Sequence, residues 1–134
     1  MRRDTIKRIF QKHGFTFTVG LPWNRGPQLR GTHPDYPFLV ELGGGKQHLL
    51  HAALLGFLTA ENTAKLFEVL SDLFLISFPK QHTAAAQNMA RILTEKMPVD
   101  ERRQLWSGEG CTVTFFLTVS PEKLVRNVYL FQYD

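Results

Sequence analysis

The chain has a single cysteine, Cys111, among its 134 residues. No intrachain disulfide can form, so the fold does not depend on an oxidising compartment. A zinc site built on paired cysteines is excluded for the same reason. Long apolar runs are also missing. The longest, residues 49–58 and 73–78, fall well short of the ~20 residues that a membrane-spanning helix needs. The first residues, Met1-Arg2-Arg3-Asp4, lack the apolar stretch of a secretory signal. Cytoplasmic location without membrane contact is therefore expected. Acidic residues are scattered and outnumbered, 12 against 16 basic ones. They form no carboxylate pair of the kind that hydrolyses glycosidic bonds. Internal repeats and low-complexity stretches are absent as well.

Hydrophobic residues make up 43% of the chain and aromatics 12%, with 11 phenylalanines. That composition suits one globular domain with an aromatic core, and the length is one domain's worth. The net charge of +4 permits an anionic partner without demanding one. Arg2, Arg3, Lys7, Arg8 and Lys12 concentrate the positive charge at the start, opposed there only by Asp4.

Residues 5–13 read as an amphipathic helix with Asp4 as N-cap and Gly14 as stop. Ile6, Ile9 and Phe10 share one of its faces. Residues 15–19 alternate as a strand, burying Phe15, Phe17 and Val19. Glycines and prolines crowd residues 20–37, which predicts a long surface loop carrying Trp23, Arg25, Arg30, His33 and Tyr36. A second strand is expected over 38–42, followed by a glycine turn at 43–45. The stretch 46–57 is ambiguous in composition. Its apolar face is rotated by roughly a quarter turn from that of Leu66, Leu70, Leu73 and Phe74, at about 100° per residue. A break near Thr59 follows, with a strand before it. Thr59 then caps a helix over 60–78 that Pro79 ends. A further helix is expected over 83–97 and a short one over 100–106. Strands over 111–119 and 124–133 close the chain, joined by a tight turn with Pro121 in its second position.

Pairing Ser120 with Lys123 across that turn puts Val113, Phe115, Leu117, Val128 and Leu130 on the core face. The outer face then displays Phe116, Tyr129, Phe131 and Tyr133 among hydroxyls and Asn127. Exposed aromatics on a sheet call for a cover, from the chain itself, a second subunit or a partner.

The remaining motifs carry little chemistry. His48-x-x-His51 lies on the expected strand, where a spacing of three separates two side chains onto opposite faces. No metal or other cofactor is expected. Gly43-Gly44-Gly45-Lys46 lacks both the earlier glycine and the following hydroxyl of a phosphate-binding loop. Cys111 has no nucleophile turn around it, so the chain is not expected to be an enzyme.

The element order read here, a helix, three strands, a helical segment and two strands, resembles that of type III secretion chaperones and YbjN-like α+β domains. The resemblance implies a dimerising, chaperone-like protein that binds other proteins. The basic charge departs from the acidic balance usual for secretion chaperones.

Together these readings give an α+β fold, with an antiparallel sheet of about five strands, helices mainly on one face and the order α-β-β-β-α-α-β-β. The expected function is a non-catalytic module that binds a protein partner or itself through Phe116, Tyr129, Phe131, Tyr133, Trp23 and Tyr36. The alternative is a single-stranded nucleic-acid binder using Arg2, Arg3, Lys7, Arg8, Lys12, Arg25 and Arg30, with the loop aromatics as stacking platforms.

Overall fold

The computed structural model describes residues 1–23, 26–57, 59, 61–81, 84, 87–88, 91, 102–119, 121–123 and 125–134, with backbone alone at 21–23, 26 and 27. Its described elements are α1 (Arg3–Lys12), β1 (Thr16–Trp23), β2 (Gly26–Thr32), β3 (Leu39–Gly44), β4 (Leu49–Gly56), α2 (Thr63–Ser77), β5 (Arg102–Gly108), β6 (Cys111–Val119) and β7 (Val125–Tyr133). All seven strands form one antiparallel sheet in the order β1-β2-β3-β4-β7-β6-β5. A four-strand meander and a three-strand meander meet where β4 pairs with β7. The α+β class and the antiparallel sheet agree with the sequence reading. The strand number and element order do not, and the order that carried the resemblance to secretion chaperones is not the order of this chain.

Helix α1 forms as its amphipathic pattern dictates, burying Ile6 and Phe10. Backbone bonds from Arg3 N–H to the Lys46 carbonyl (3.1 Å) and from Leu49 N–H to the Met1 carbonyl (2.8 Å) tie its start to the β3–β4 turn. The other end is clamped to α2, where Asp72 lies 2.6 Å from His13 Nε2 and 3.3 Å from Lys12 Nζ. Helix α2 buries Leu66, Val69, Leu70, Leu73 and Phe74. The helix begins at Thr63 with Asn62 as its N-cap, later than the Thr59 cap expected, and Thr59 supports the turn before it. The Thr59 Oγ1 accepts from Asn62 N–H, and the Thr59 carbonyl accepts from Thr63 Oγ1 at 2.6 Å. The helix stops at Phe78, just before Pro79. Residues 84, 87, 88 and 91 are helical, and the rest of the helix expected over 83–97 lies outside the described residues.

Three expectations fail for identifiable reasons. The loop expected over 20–37 is mostly strand, comprising the end of β1 and all of β2. Its breakers hold positions where they do no harm. Pro22 and Pro27 pair with each other at the end of the β1–β2 hairpin, and β1 is an edge strand that can do without ladder donors. Gly31 lies opposite Phe17, and a Cβ there would sit 2.7 Å from the Phe17 ring. The glycine makes room for an aromatic cross-strand cover, not for a turn. The helix expected over 100–106 is instead strand β5, whose pairing with β6 shifts register between Gln104 and Trp106.

The third failure matters most. Val119 pairs with Val125, so five residues separate the last strand partners, and Lys123 takes a positive φ of 64°. The turn is longer than the tight one expected, and β7 slips by one residue against β6. A one-residue slip turns every β7 side chain to the other face. Phe115 therefore faces Tyr129, Val113 faces Phe131 and Cys111 faces Tyr133. All six lie in the core under the helices. Phe131 meets Phe74 edge-on at 5.3 Å, and the Tyr133 hydroxyl lies 2.9 Å from Ser77 Oγ. Tyr129, Phe131 and Tyr133 are thus not outer-face residues. Val128 and Leu130 take their place.

Candidate functional site

The helices described here pack on one face of the sheet. Phe10 of α1 contacts Phe15 and Phe17, and Phe74 of α2 contacts Phe131. Neither α1 nor α2 packs on the opposite face. The ladder places the residues of that face in rows. One row crosses the sheet as Thr16, Thr32, Leu39, Leu55, Val128, Phe116 and Arg102. The next holds Thr18, Arg30, Glu41, Ala53, Leu130, Thr114 and Gln104. The middles of both rows are mostly apolar and the ends are polar or charged.

The face is hollow. A cavity of 480 Å³ is lined by Ala53, Leu55, Phe116, Val128 and Leu130, with Glu41, His51 and Gln132 at its polar side. Its floor is closely packed, with Val128 only 4% exposed on the face opposite α1 and α2. A second recess of 200 Å³, bordered by Leu39, Phe57 and Arg126, shares Leu55 with the first. The two adjoin at Leu55 and form a trough of two recesses across β3, β4, β7 and β6.

Three arginines and one carboxylate border this trough. Glu41 accepts hydrogen bonds from Gln28 (3.1 Å) and Arg30 (3.4 Å), so its charge is matched. Arg102 lies over the Phe116 ring, 4.2 Å from its centroid, and Arg126 lies 5.6 Å from the Phe57 centroid. Such stacking holds a guanidinium at an apolar margin with its donors still available. No carboxylate among the described residues pairs with Arg102 or Arg126.

Among the described residues, His51 and Glu41 are the titratable groups that line the first recess. Burial pulls the His51 imidazole below its ordinary pKa, and the nearby Glu41 charge works against that shift. Its ring covers Gly43, so a Cβ at that position would collide with it. His48 lies in the preceding turn, exposed. Among the described residues, no group of three or more His, Cys, Asp and Glu side chains is placed to hold a metal ion. Burial also pushes the Cys111 thiol up to about 12, despite a hydrogen bond with Ser77. A thiol that stays protonated is a poor nucleophile.

The residues singled out from sequence are scattered by the fold. Phe116 is half-buried on the trough wall, as expected. Tyr36 stacks on Phe38 at 5.5 Å and belongs to the aromatic packing beside Phe15 and His33. Arg25 and the Trp23 side chain lie outside the described residues. Of the basic set, Arg3 is buried, Lys12 pairs with Asp72 and Arg30 pairs with Glu41. Arg2 and Arg8 remain exposed on α1 and its approach, and Lys7 is half-buried. Helix α1 docks on the core, on the face opposite Phe116, so its cations and Phe116 do not share a groove. Sequence reasoning missed Leu55, Val128, Leu130, Arg102 and Arg126 as site residues. The signal of Val128 and Leu130 was present, because β7 is apolar on both faces, but the assumed turn length assigned its faces wrongly.

Comparison with protein families, with curated proteins and with solved structures finds no match to this chain. No described helix is long and apolar enough to cross a membrane.

Proposed function

We propose that this protein is a non-catalytic interaction module whose sheet face opposite α1 and α2 receives another protein. The observation that carries the reading is the apolar trough of Leu39, Leu55, Val128, Leu130 and Phe116, two recesses that meet at Leu55, on the face opposite α1 and α2. A sheet whose second face meets only water normally alternates apolar and polar residues cleanly. Here β7 is apolar on both sides, with Tyr129 and Phe131 in the core and Val128 and Leu130 in the trough. Contiguous apolar surface bordered by polar groups is the usual mark of a docking surface. Among the described residues, Glu41 is held by Gln28 and Arg30 and the Cys111 thiol is buried and pushed up to about 12, which favours binding over catalysis.

Photocrosslinking tests the reading. A benzophenone amino acid replaces Phe116 in one variant and the exposed Leu75 of α2 in another, and each is irradiated in the native cell. A discrete protein adduct at 116 that is absent at 75 is the expected result. Adducts of equal yield at both positions, or none at 116, overturn it.

A further inference from the structure

The charges around the trough say what kind of protein fits it. Arg30 is matched by Glu41, whereas Arg102 and Arg126 face the trough without a carboxylate among the described residues. Arg102 closes the apolar row at β5, and Arg126 borders it two residues from Val128 along β7. The apolar row Leu39, Leu55, Val128 and Phe116 crosses four strands, a span of roughly 14 Å at about 4.8 Å per strand. That length matches roughly two and a half turns of helix, or side chains at i, i+3 or i+4, i+7 and i+10.

Resting on the reading of the trough as a protein-docking surface, we infer that its occupant is an amphipathic helix of a partner protein, apolar where it meets the trough and acidic along the flank beside Arg102 and Arg126. A second copy of this chain fits less well. An isologous face-to-face contact sets a patch against itself, so it would gather both copies' Arg102 and Arg126 while each Glu41 is already held by Arg30. A small amphiphile fits less well too, because ligands of that size sit in pockets that enclose most of their surface, whereas this trough lies across an open sheet face. The carboxylates of the partner helix would meet guanidiniums already placed against the Phe116 and Phe57 rings, which lowers the side-chain freedom lost on pairing.

The test is a selection from phage-displayed 16-residue peptides, random in sequence, against the full chain, with Leu130→Glu as counter-selection. Enriched peptides are then labelled and titrated by fluorescence anisotropy against the chain and against Arg102→Glu and Arg126→Glu. Circular dichroism confirms that each variant is folded. Arg102 is exposed, so its reversal leaves the core intact. The inference expects enriched sequences with apolar residues at i, i+3 or i+4, i+7 and i+10, acidic over basic residues, and binding weakened at least tenfold by either charge reversal. Enriched sequences that depend on Leu130 but are neutral or basic overturn the acidic helix and leave the docking surface standing. No Leu130-dependent sequence at all overturns both. A concentration-dependent dimer in sedimentation that Leu130→Glu abolishes assigns the trough to a second copy and overturns the inference as well.

Discussion

Truncating two neighbours on β7, Phe131→Ala and Leu130→Ala, has very different consequences if the register described here is right. Phe131 is fully buried, packed edge-on against Phe74 of α2. Removing a ring from such a site forfeits its transfer free energy and leaves a cavity, a loss of about 3–5 kcal/mol. Leu130 lies in the trough, half-exposed on the other face. Its truncation removes only part of a buried side chain's contribution, about 1 kcal/mol. The unfolding entropy of a 134-residue chain is about 0.28 kcal/mol/K near the midpoint. Phe131→Ala should then lower Tm by roughly 11–18 °C and Leu130→Ala by roughly 4 °C. Thermal and urea unfolding followed by far-ultraviolet circular dichroism reads both. If β7 were shifted by one residue, as a tight turn at Pro121 implies, Leu130 would be the core residue. Equal losses for the two variants, or the larger loss for Leu130→Ala, would refute the register and with it the trough.

Asp72→Asn should cost about 1–2 kcal/mol, because it weakens the charge-assisted contacts that clamp α1 to α2. Burial pushes the Asp72 pKa upward, but hydrogen bonds with His13 and Lys12 outweigh it and leave the carboxyl below its ordinary value. A carboxyl depressed on folding stabilises the protein above the ordinary carboxylate range, and that contribution fades as pH falls through the folded value. The stability gap between wild type and Asp72→Asn should therefore narrow on acidification, as urea titrations at several pH values will show. Gly31→Ala should cost about 1–3 kcal/mol, since its Cβ meets the Phe17 ring. That cost should shrink when Phe17 is also replaced by Ala, and a double-mutant cycle without coupling would contradict the close approach. Cys111, buried and pushed up to about 12, should react with iodoacetamide at pH 8 at least a hundredfold more slowly in the folded chain than in urea, as mass spectrometry can follow.

Local pattern made part of this molecule legible. The amphipathic spacing of Ile6 and Phe10 marks α1, and the phase break near Thr59 correctly separates a strand in β4 from the helix α2. Both strands of the C-terminal hairpin stand where their alternation places them. What was illegible is non-local. Pro22, Pro27 and Gly31 read as loop residues until their partners are known, and the partners are an edge hairpin end and an aromatic ring. β5 has no strong period of its own and owes its conformation to the ladder with β6 and to Trp106 reaching Phe78 at 6.3 Å. In β7, Val125, Tyr129, Leu130 and Phe131 suit either face, so hydrophobicity does not choose a register there and the turn length does. The site was partly legible for this reason. Phe116 was placed correctly, and an outer face rich in apolar groups was foreseen, but its β7 members were off by one residue.

The account stands or falls on which face of the sheet is available to a partner. In a Cys111→Ser background, single cysteines at 115 and 116 report opposite faces of the same strand, because Phe115 is 2% exposed in the core and Phe116 lines the trough. Their alkylation rates in the native state measure the accessibility of each face directly. The account predicts that a cysteine at 116 reacts at least a hundredfold faster than one at 115, and that a trough-bound peptide slows the first without changing the second. Comparable rates, or the faster reaction at 115, would contradict it.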